Sequence, residues 1–223
     1  NAKITAFGST RRAGSNASDD QNLQKIIESG VKAVAIFGKT WDFHVHEALK
    51  TTLDENLAMI YDSVHYLKAA GLEVIFDAEH FFDGYKNNPD YALATVKKAQ
   101  EAGADCVTLC DTNGGTLPHD ISTIVKEVTK VLSVKIGIHC HNDCELGVAN
   151  TLAAVQAGAE HVQGTINGYG ERCGNANLIS VIPNLQIKLG YACVDEAQLE
   201  NLSNVSKYVH EIANQVPPSN QPF

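Results

Sequence analysis

Two histidines one residue apart, His139 and His141, close the apolar run Lys135-Ile-Gly-Ile-His139. If that run is a strand, residues two apart point to the same side, so both imidazoles face one surface. Two imidazoles on one face begin a divalent-metal site; the same pair also reads as two hydrogen-bonded histidines in a polar cleft. Asn142 and Asp143 follow at once and are placed to fix the imidazole tautomers. His44 and His46 repeat the spacing where a helix begins. There, side chains two apart diverge by about 200°, so they form no joint metal site. His44 is a candidate for touching substrate and His46 for facing solvent.

Other segments carry the same kind of signal. Glu79, beside Asp77, offers a carboxylate pair for acid–base work, or a helix cap and a surface ion pair. Asp111-Thr112-Asn113-Gly114-Gly115 is a turn whose backbone N–H groups can approach a ligand. Gly168-Tyr-Gly-Glu-Arg-Cys-Gly-Asn175 is glycine-rich, yet it matches neither a dinucleotide fingerprint nor a Walker motif. Its amides remain able to hold an anion. Asn175 is a neutral ligand for a metal or a helix cap. Arg11 and Arg12 suit bidentate binding of a substrate carboxylate, or a solvated loop.

These groups need elements that bring them together. Short runs rich in Val, Ile, Phe or Thr predict strands over 3–9, 33–38, 73–78, 106–110, 135–139 and 161–166. Helical patterns fall over 22–29, 45–70, 90–102, 118–132, 145–157, 177–189 and 196–215, with Pro118 in a first turn where its missing N–H leaves nothing unpaired. Four helices end in Gly30, Gly71, Gly103 and Gly158, each followed directly by a strand. Glycine suits the left-handed turn at a helix end, and the repeated helix–Gly–strand unit predicts a parallel α/β sheet. An open sheet gathers its site at one switch point, whereas a barrel directs every strand's C-terminal end at one cavity. All six predicted strand ends carry polar, chemistry-capable residues, which favours an α/β TIM (β/α)8 barrel. Six strands leave two edges open, so the barrel is expected to be incomplete here, lacking two βα units.

The composition excludes other classes. The chain has 223 residues, 44% hydrophobic and 19% charged, with a net charge of −9. An acidic chain lacks the Lys and Arg surplus that binds nucleic acid, and no apolar run reaches the ~18 residues that span a bilayer. The six cysteines form no C-x-x-C, which argues against a zinc knuckle; most are expected to be buried small hydrophobes in a reducing cytoplasm. The barrel is expected over 1–190 and a helical extension leading to a linker over 191–223. The abrupt ends at Asn1 and Phe223 suggest a segment of a longer protein.

Taken together, Phe7-Gly-Ser-Thr-Arg-Arg-Ala-Gly14, Phe37-Gly-Lys-Thr-Trp-Asp-Phe-His-Val-His46, Asp77-Ala-Glu-His-Phe-Phe-Asp-Gly-Tyr85, Leu109-Cys-Asp-Thr-Asn-Gly-Gly-Thr-Leu-Pro118, Gly137-Ile-His-Cys-His-Asn-Asp143 and 163–178 are similar to one family along the whole chain. The chain resembles the DRE-TIM metallolyase superfamily, whose members join or cleave acyl-CoA-derived carbon units. Within it the nearest branch is that of the citramalate synthases, with the 2-isopropylmalate synthases beside it. The resemblance implies a divalent metal (Mg, Mn or Zn) held by His139, His141 and, more loosely, Asn175. It implies that His44 and Thr112 contact the 2-oxo acid and that Glu79 belongs to the catalytic surround. It further implies pyruvate and acetyl-CoA as substrates in branched-chain amino-acid biosynthesis, with 2-oxoisovalerate as the rival acceptor, and a homodimer in the full-length protein. The family's first two barrel strands, with a further metal-binding Asp, and its C-terminal domains have no counterpart in this stretch, which alone is expected to be inactive.

Overall fold

The structure, a computed structural model, describes residues 2–219 and 221. The expected ends at Asn1 and at Pro222-Phe223 lie outside the described residues. Six strands form: β1 (Thr5–Ser9), β2 (Ala33–Lys39), β3 (Glu73–Glu79), β4 (Cys106–Asp111), β5 (Lys135–Cys140) and β6 (His161–Gln163). All pair in parallel, and their order in the sheet is their order in the chain. A doubly wound sheet would reverse its order at a switch point. Adding each strand beside the last, with crossovers of one hand, keeps every helix on one face and makes the wall of a TIM-type barrel.

Alternation along each strand separates core from site. Val34, Ile36, Val74, Phe76, Val107, Leu109, Ile136 and Ile138 are buried beneath the helices. Between them, Ala35, Phe37, Asp77, Glu79, Cys110 and His139 open on the other face. Phe76 is fully buried, and truncating such a side chain costs ~3–5 kcal/mol.

The helices are α1 (Gln21–Glu28), α2 (Leu53–Ala69), α3 (Phe81–Asn87), α4 (Pro89–Glu101), α5 (Pro118–Thr129) and α6 (Gly147–Gln156). Beyond β6 lie α7 (Leu178–Pro183), α8 (Glu196–Glu200) and α9 (Leu202–Ile212). The glycines at the ends of α1, α2, α4 and α6 have φ of +74°, +82°, +99° and +118°, the left-handed turn that the repeat predicts.

Several elements differ from expectation; the helix predicted over 196–215, for one, divides into α8 and α9 at Asn201. The helix predicted over 45–70 is broken: a helical turn at Asp42–His44 runs into a wide turn at Val45–Leu49, and Lys50 stops it with φ +54°. α2 then starts afresh behind Thr52, whose side chain accepts the Glu55 N–H at 3.1 Å. The helix α3 has no counterpart in the prediction; it forms because Phe81 and Phe82 are both fully buried. The strand predicted over 161–166 ends at Gln163, because Thr165 instead donates its N–H to Ala176 of the following loop.

The segment beyond residue 190 packs back on the loop that follows β6. Asn167 donates to the Ser206 carbonyl at 2.9 Å, and the Tyr169 hydroxyl lies 2.6 Å from His210 Nδ1. All six cysteines are free; Cys106, Cys110 and Cys140 are buried while Cys144, Cys173 and Cys193 are exposed, so half rather than most are packed in the fold. No helix among the described residues is long and apolar enough to cross a membrane.

Candidate functional site

A cavity of about 610 Å³ opens at the C-terminal ends of the strands, and Asp77, Glu79, Cys110, Thr112, His139, His141, Gln163, Glu171 and Asn175 line it. The strand ends are therefore not equivalent: β3, β4, β5 and β6, with the loops that follow the last three, supply the polar wall. On the β1–β2 side the wall is apolar, with Phe7 and Phe37 stacked at 5.6 Å between ring centres.

The two histidines are held in the same protonation pattern by different partners. In β5, His139 sits opposite Gln163 of β6 in the strand register. The Gln163 amide donates to Asp77 Oδ1 at 2.8 Å, which turns its own oxygen toward His139 Nδ1 at 2.9 Å. Nδ1 must then carry the proton, leaving the Nε2 lone pair bare. His141 Nδ1 lies 2.5 Å from the Thr112 carbonyl, which can only accept, so Nδ1 is again protonated and the Nε2 lone pair, 4.0 Å from Glu171 Oε1, is left for a ligand. The rings stand 5.2 Å apart at 83°. Asn142 and Asp143 do not bond the rings directly, contrary to expectation: Asn142 accepts from Gly147 N–H at 3.1 Å, and Asp143 holds Arg172.

Asn175 joins the pair through its backbone, in an antiparallel bridge to His141. Its amide nitrogen donates to the Tyr169 carbonyl at 3.0 Å, while its Oδ1 is buried without any hydrogen-bond partner. A buried carbonyl oxygen left bare costs free energy unless a ligand completes it. The helix-cap alternative belongs to Asn177, whose side chain accepts Ile179 N–H at 3.0 Å. Two bare imidazole nitrogens and one bare amide oxygen on one cavity fit a divalent cation of borderline hardness. Among the described residues there is no cluster of three or more His, Cys, Asp or Glu that could hold one, so this trio needs further oxygen donors from substrate or from elsewhere.

The remaining expected residues divide. Thr112 lines the cavity, and its hydroxyl accepts the His80 N–H at 2.9 Å, leaving the hydroxyl proton for a ligand. Glu79 lines it too, paired with Lys39 at 2.5 Å from the facing position of β2. Asp77 and Glu79 thus have separate partners and do not share a proton. Burial pushes the Asp77 carboxyl above its ordinary range, against the pull of Gln163 and His139.

His44 does not line the cavity. It packs against Trp41 at 4.7 Å and His80 at 4.4 Å, its Nδ1 lacks a partner, and burial together with His80 and Lys39 lowers its pKa. Arg11, expected to meet a substrate carboxylate, is turned into the fold instead. It is 4% exposed, with Nη1 on Glu55 at 2.7 Å and Nη2 on Asp62 at 2.8 Å, so its donors have carboxylates of α2 already. Sequence reasoning gave no role to Gln163. The available signal was a lone amide at the end of a short strand; its partner depends on the β5–β6 register, which no local pattern encodes.

Comparison with known proteins agrees with this geometry. The sequence model of the HMGL-like family matches residues 5–209. The (R)-citramalate synthase of Geobacter sulfurreducens is 56% identical over 222 residues, covering 100% of this chain and 42% of the relative. That of Synechocystis is 54% identical over 230 residues, with 100% and 42% covered. The 2-isopropylmalate synthase of Sulfolobus acidocaldarius is 39% identical over 200 residues, covering 89% of this chain and 50% of the relative. The chain therefore spans about 42% of the length of the citramalate synthases it matches. In fold it is similar to the HMG-CoA lyase of Bacillus subtilis, with a TM-score of 0.77 at 18% identity, covering 97% of this chain and 73% of that one. A match across nearly every described strand and helix, with the same sheet in a solved relative, makes this chain a member of the HMGL-like family.

Proposed function

We propose that this chain supplies most of the catalytic barrel of a synthase that condenses pyruvate with acetyl-CoA to give (R)-citramalate and CoA. The observation that carries the reading is the set of three bare donors, His139 Nε2, His141 Nε2 and Asn175 Oδ1, beside the Thr112 hydroxyl. These three would hold a divalent ion, which when bound supplies a Lewis acid for the keto group of the 2-oxo acid. The greater similarity to citramalate synthases than to 2-isopropylmalate synthases supports pyruvate as acceptor.

The chain's own groups do the rest of the positioning. The Thr112 hydroxyl donates to an oxygen of the 2-oxo acid, and Glu79, held by Lys39, lies in the surround of the reacting carbons. The Phe7–Phe37 pair offers an apolar side to the acceptor's short alkyl end, with Phe7 itself 67% exposed. A base takes a proton from the methyl carbon of the acetyl group, that carbon forms the new bond to the keto carbon while the keto oxygen takes up a proton, and water then adds to the thioester carbonyl, leaving a carboxylate and free CoA. His44, packed on His80, adjusts this surround through that ring rather than by contact. The 191–223 segment is an extension toward the rest of the synthase, and the full-length protein is a homodimer.

CoA release by the full-length protein, followed with a thiol reagent, tests the reading. Pyruvate should be preferred over 2-oxoisovalerate by roughly 10–200-fold, the range that one or two methyl groups allow. His139→Ala and His141→Ala should each abolish both turnover and divalent-metal binding. Preference for the branched acid would transfer the chain to the leucine-pathway branch.

A further inference from the structure

We propose that Arg172 is a positioning residue for the metal centre, acting through the one carbonyl that sets the His141 tautomer; this rests on the metal reading above. The Thr112 carbonyl oxygen accepts two bonds, from His141 Nδ1 at 2.5 Å and from Arg172 Nη2 at 2.8 Å. The same guanidinium grips both oxygens of Asp143, through Nε and Nη2, each at 2.8 Å. A planar guanidinium seated on a carboxylate has a fixed direction for its N–H groups, so the grip on Asp143 aims the bond to Thr112. Asp143 is itself wedged against the β4 loop: a Cβ added at Gly114 would lie 2.5 Å from its Oδ2. One side chain therefore ties together the loops that follow β4, β5 and β6.

An ordinary surface ion pair would explain the carboxylate contact but not the rest. Arg172 holds φ +55°, a conformation that a residue with a side chain keeps only when its surroundings demand it. It stands three residues before Asn175, in the same glycine-rich loop, so the tie also fixes the strip of backbone that bridges to His141. Removing the guanidinium frees the Thr112 peptide to rotate. The His141 ring then loses its fixed acceptor, and Nε2 no longer stays bare and aimed.

The test is Mn²⁺ binding by the full-length protein, measured by calorimetry for wild type, Arg172→Lys and Arg172→Ala, alongside steady-state CoA release. Both variants should bind Mn²⁺ about 10-fold more weakly, the lower end of the loss seen when groups behind a metal ligand are changed. Lysine should fail to rescue, because one ammonium cannot span Asp143 and the Thr112 carbonyl. Activity should return when Mn²⁺ is raised by the same factor, which a purely structural role would not allow. Unchanged Mn²⁺ affinity, with or without a lower melting temperature, would overturn the inference, as would lost activity that excess Mn²⁺ does not restore. Wild-type Mn²⁺ binding that survives His139→Ala would instead overturn the metal reading itself.

Discussion

Where the strands begin, the chain makes its left-handed turns through glycine; where they end, it makes them through Gly14, Gly114, Gly168 and Gly174 but also through residues that carry a side chain. Gly30, Gly71, Gly103 and Gly158 carry the positive φ at the starts. At the ends, His80, Cys144, Glu145, Asn167 and Arg172 hold φ between +53° and +64°. A left-handed residue with a Cβ costs ~1–2 kcal/mol, so the two ends of one sheet are built to different standards. The starts are relaxed and closed by ordinary contacts such as the Lys68–Asp105 pair at 2.7 Å. The ends accept strain in order to keep side chains where a flexible residue would offer none. Stability and chemistry are thus divided along the strand axis, as expected for a barrel whose activity sits at one face.

The sharpest way to break that comparison is to change one polar residue at each end. Gln163→Leu removes the acceptor that fixes His139, and divalent-metal affinity of the full-length protein should fall ~10–100-fold. Lys68→Ala at the opposite end should leave metal affinity and turnover unaltered and change stability by no more than ~1 kcal/mol. Equal effects at both ends would dissolve the division.

Backbone changes should give a smaller and opposite-signed pair. Gly71→Ala meets no neighbour within 4 Å, so its effect is purely conformational, and urea unfolding should show a loss of ~1–2 kcal/mol with the site intact. Cys144→Gly should raise stability by up to ~1 kcal/mol while loosening the loop after β5, seen as weaker metal binding. If Cys144→Gly destabilises, the strain at the strand ends is not real.

Acidity supplies the mildest test. His161 starts β6, its Nε2 is buried without a partner, and burial lowers its pKa. The unfolded ring takes up a proton near pH ~6.5 and the folded one only at lower pH. Stability is therefore full above that value and declines as pH falls through it toward the folded pKa. Asp77, near the end of β3, has the reverse sign: its raised pKa makes the folded form bind a proton more readily, so its penalty is present at neutral pH and relieved as pH falls. His161→Gln should flatten the decline just below pH ~6.5, and Asp77→Asn should remove the relief at lower pH, both read from denaturant midpoints. A His161→Gln protein with an unchanged acid profile would contradict the assignment.

Patterns local to the chain announced much of this molecule. Short runs rich in Val, Ile, Phe or Thr marked the six strands, and the His-x-His spacing marked the pair on β5. Contacts across long stretches of sequence were hidden. Which of Arg11 and Arg12 is buried depends on Glu55 and Asp62, which lie on a helix more than forty residues away. Whether Asn175 caps a helix or faces the histidines turned on a backbone bridge to His141, while Asn177, an equal candidate by type, took the cap. His44 looked like a contact residue from its neighbours in sequence, yet it lies packed against the rings of Trp41 and His80.

The alternation of core and cavity positions on β2 to β5 also sets how this scaffold can vary. Every second residue of a strand answers to the helices and its neighbours answer to the ligand, so a substitution can rewrite the chemistry while leaving the packing untouched. A single inserted residue cannot. It would exchange the two sets at a stroke, placing Val and Ile in the cavity and His and Asp beneath the helices. Strands of this kind can be edited letter by letter but not respaced, and length changes are left to the loops.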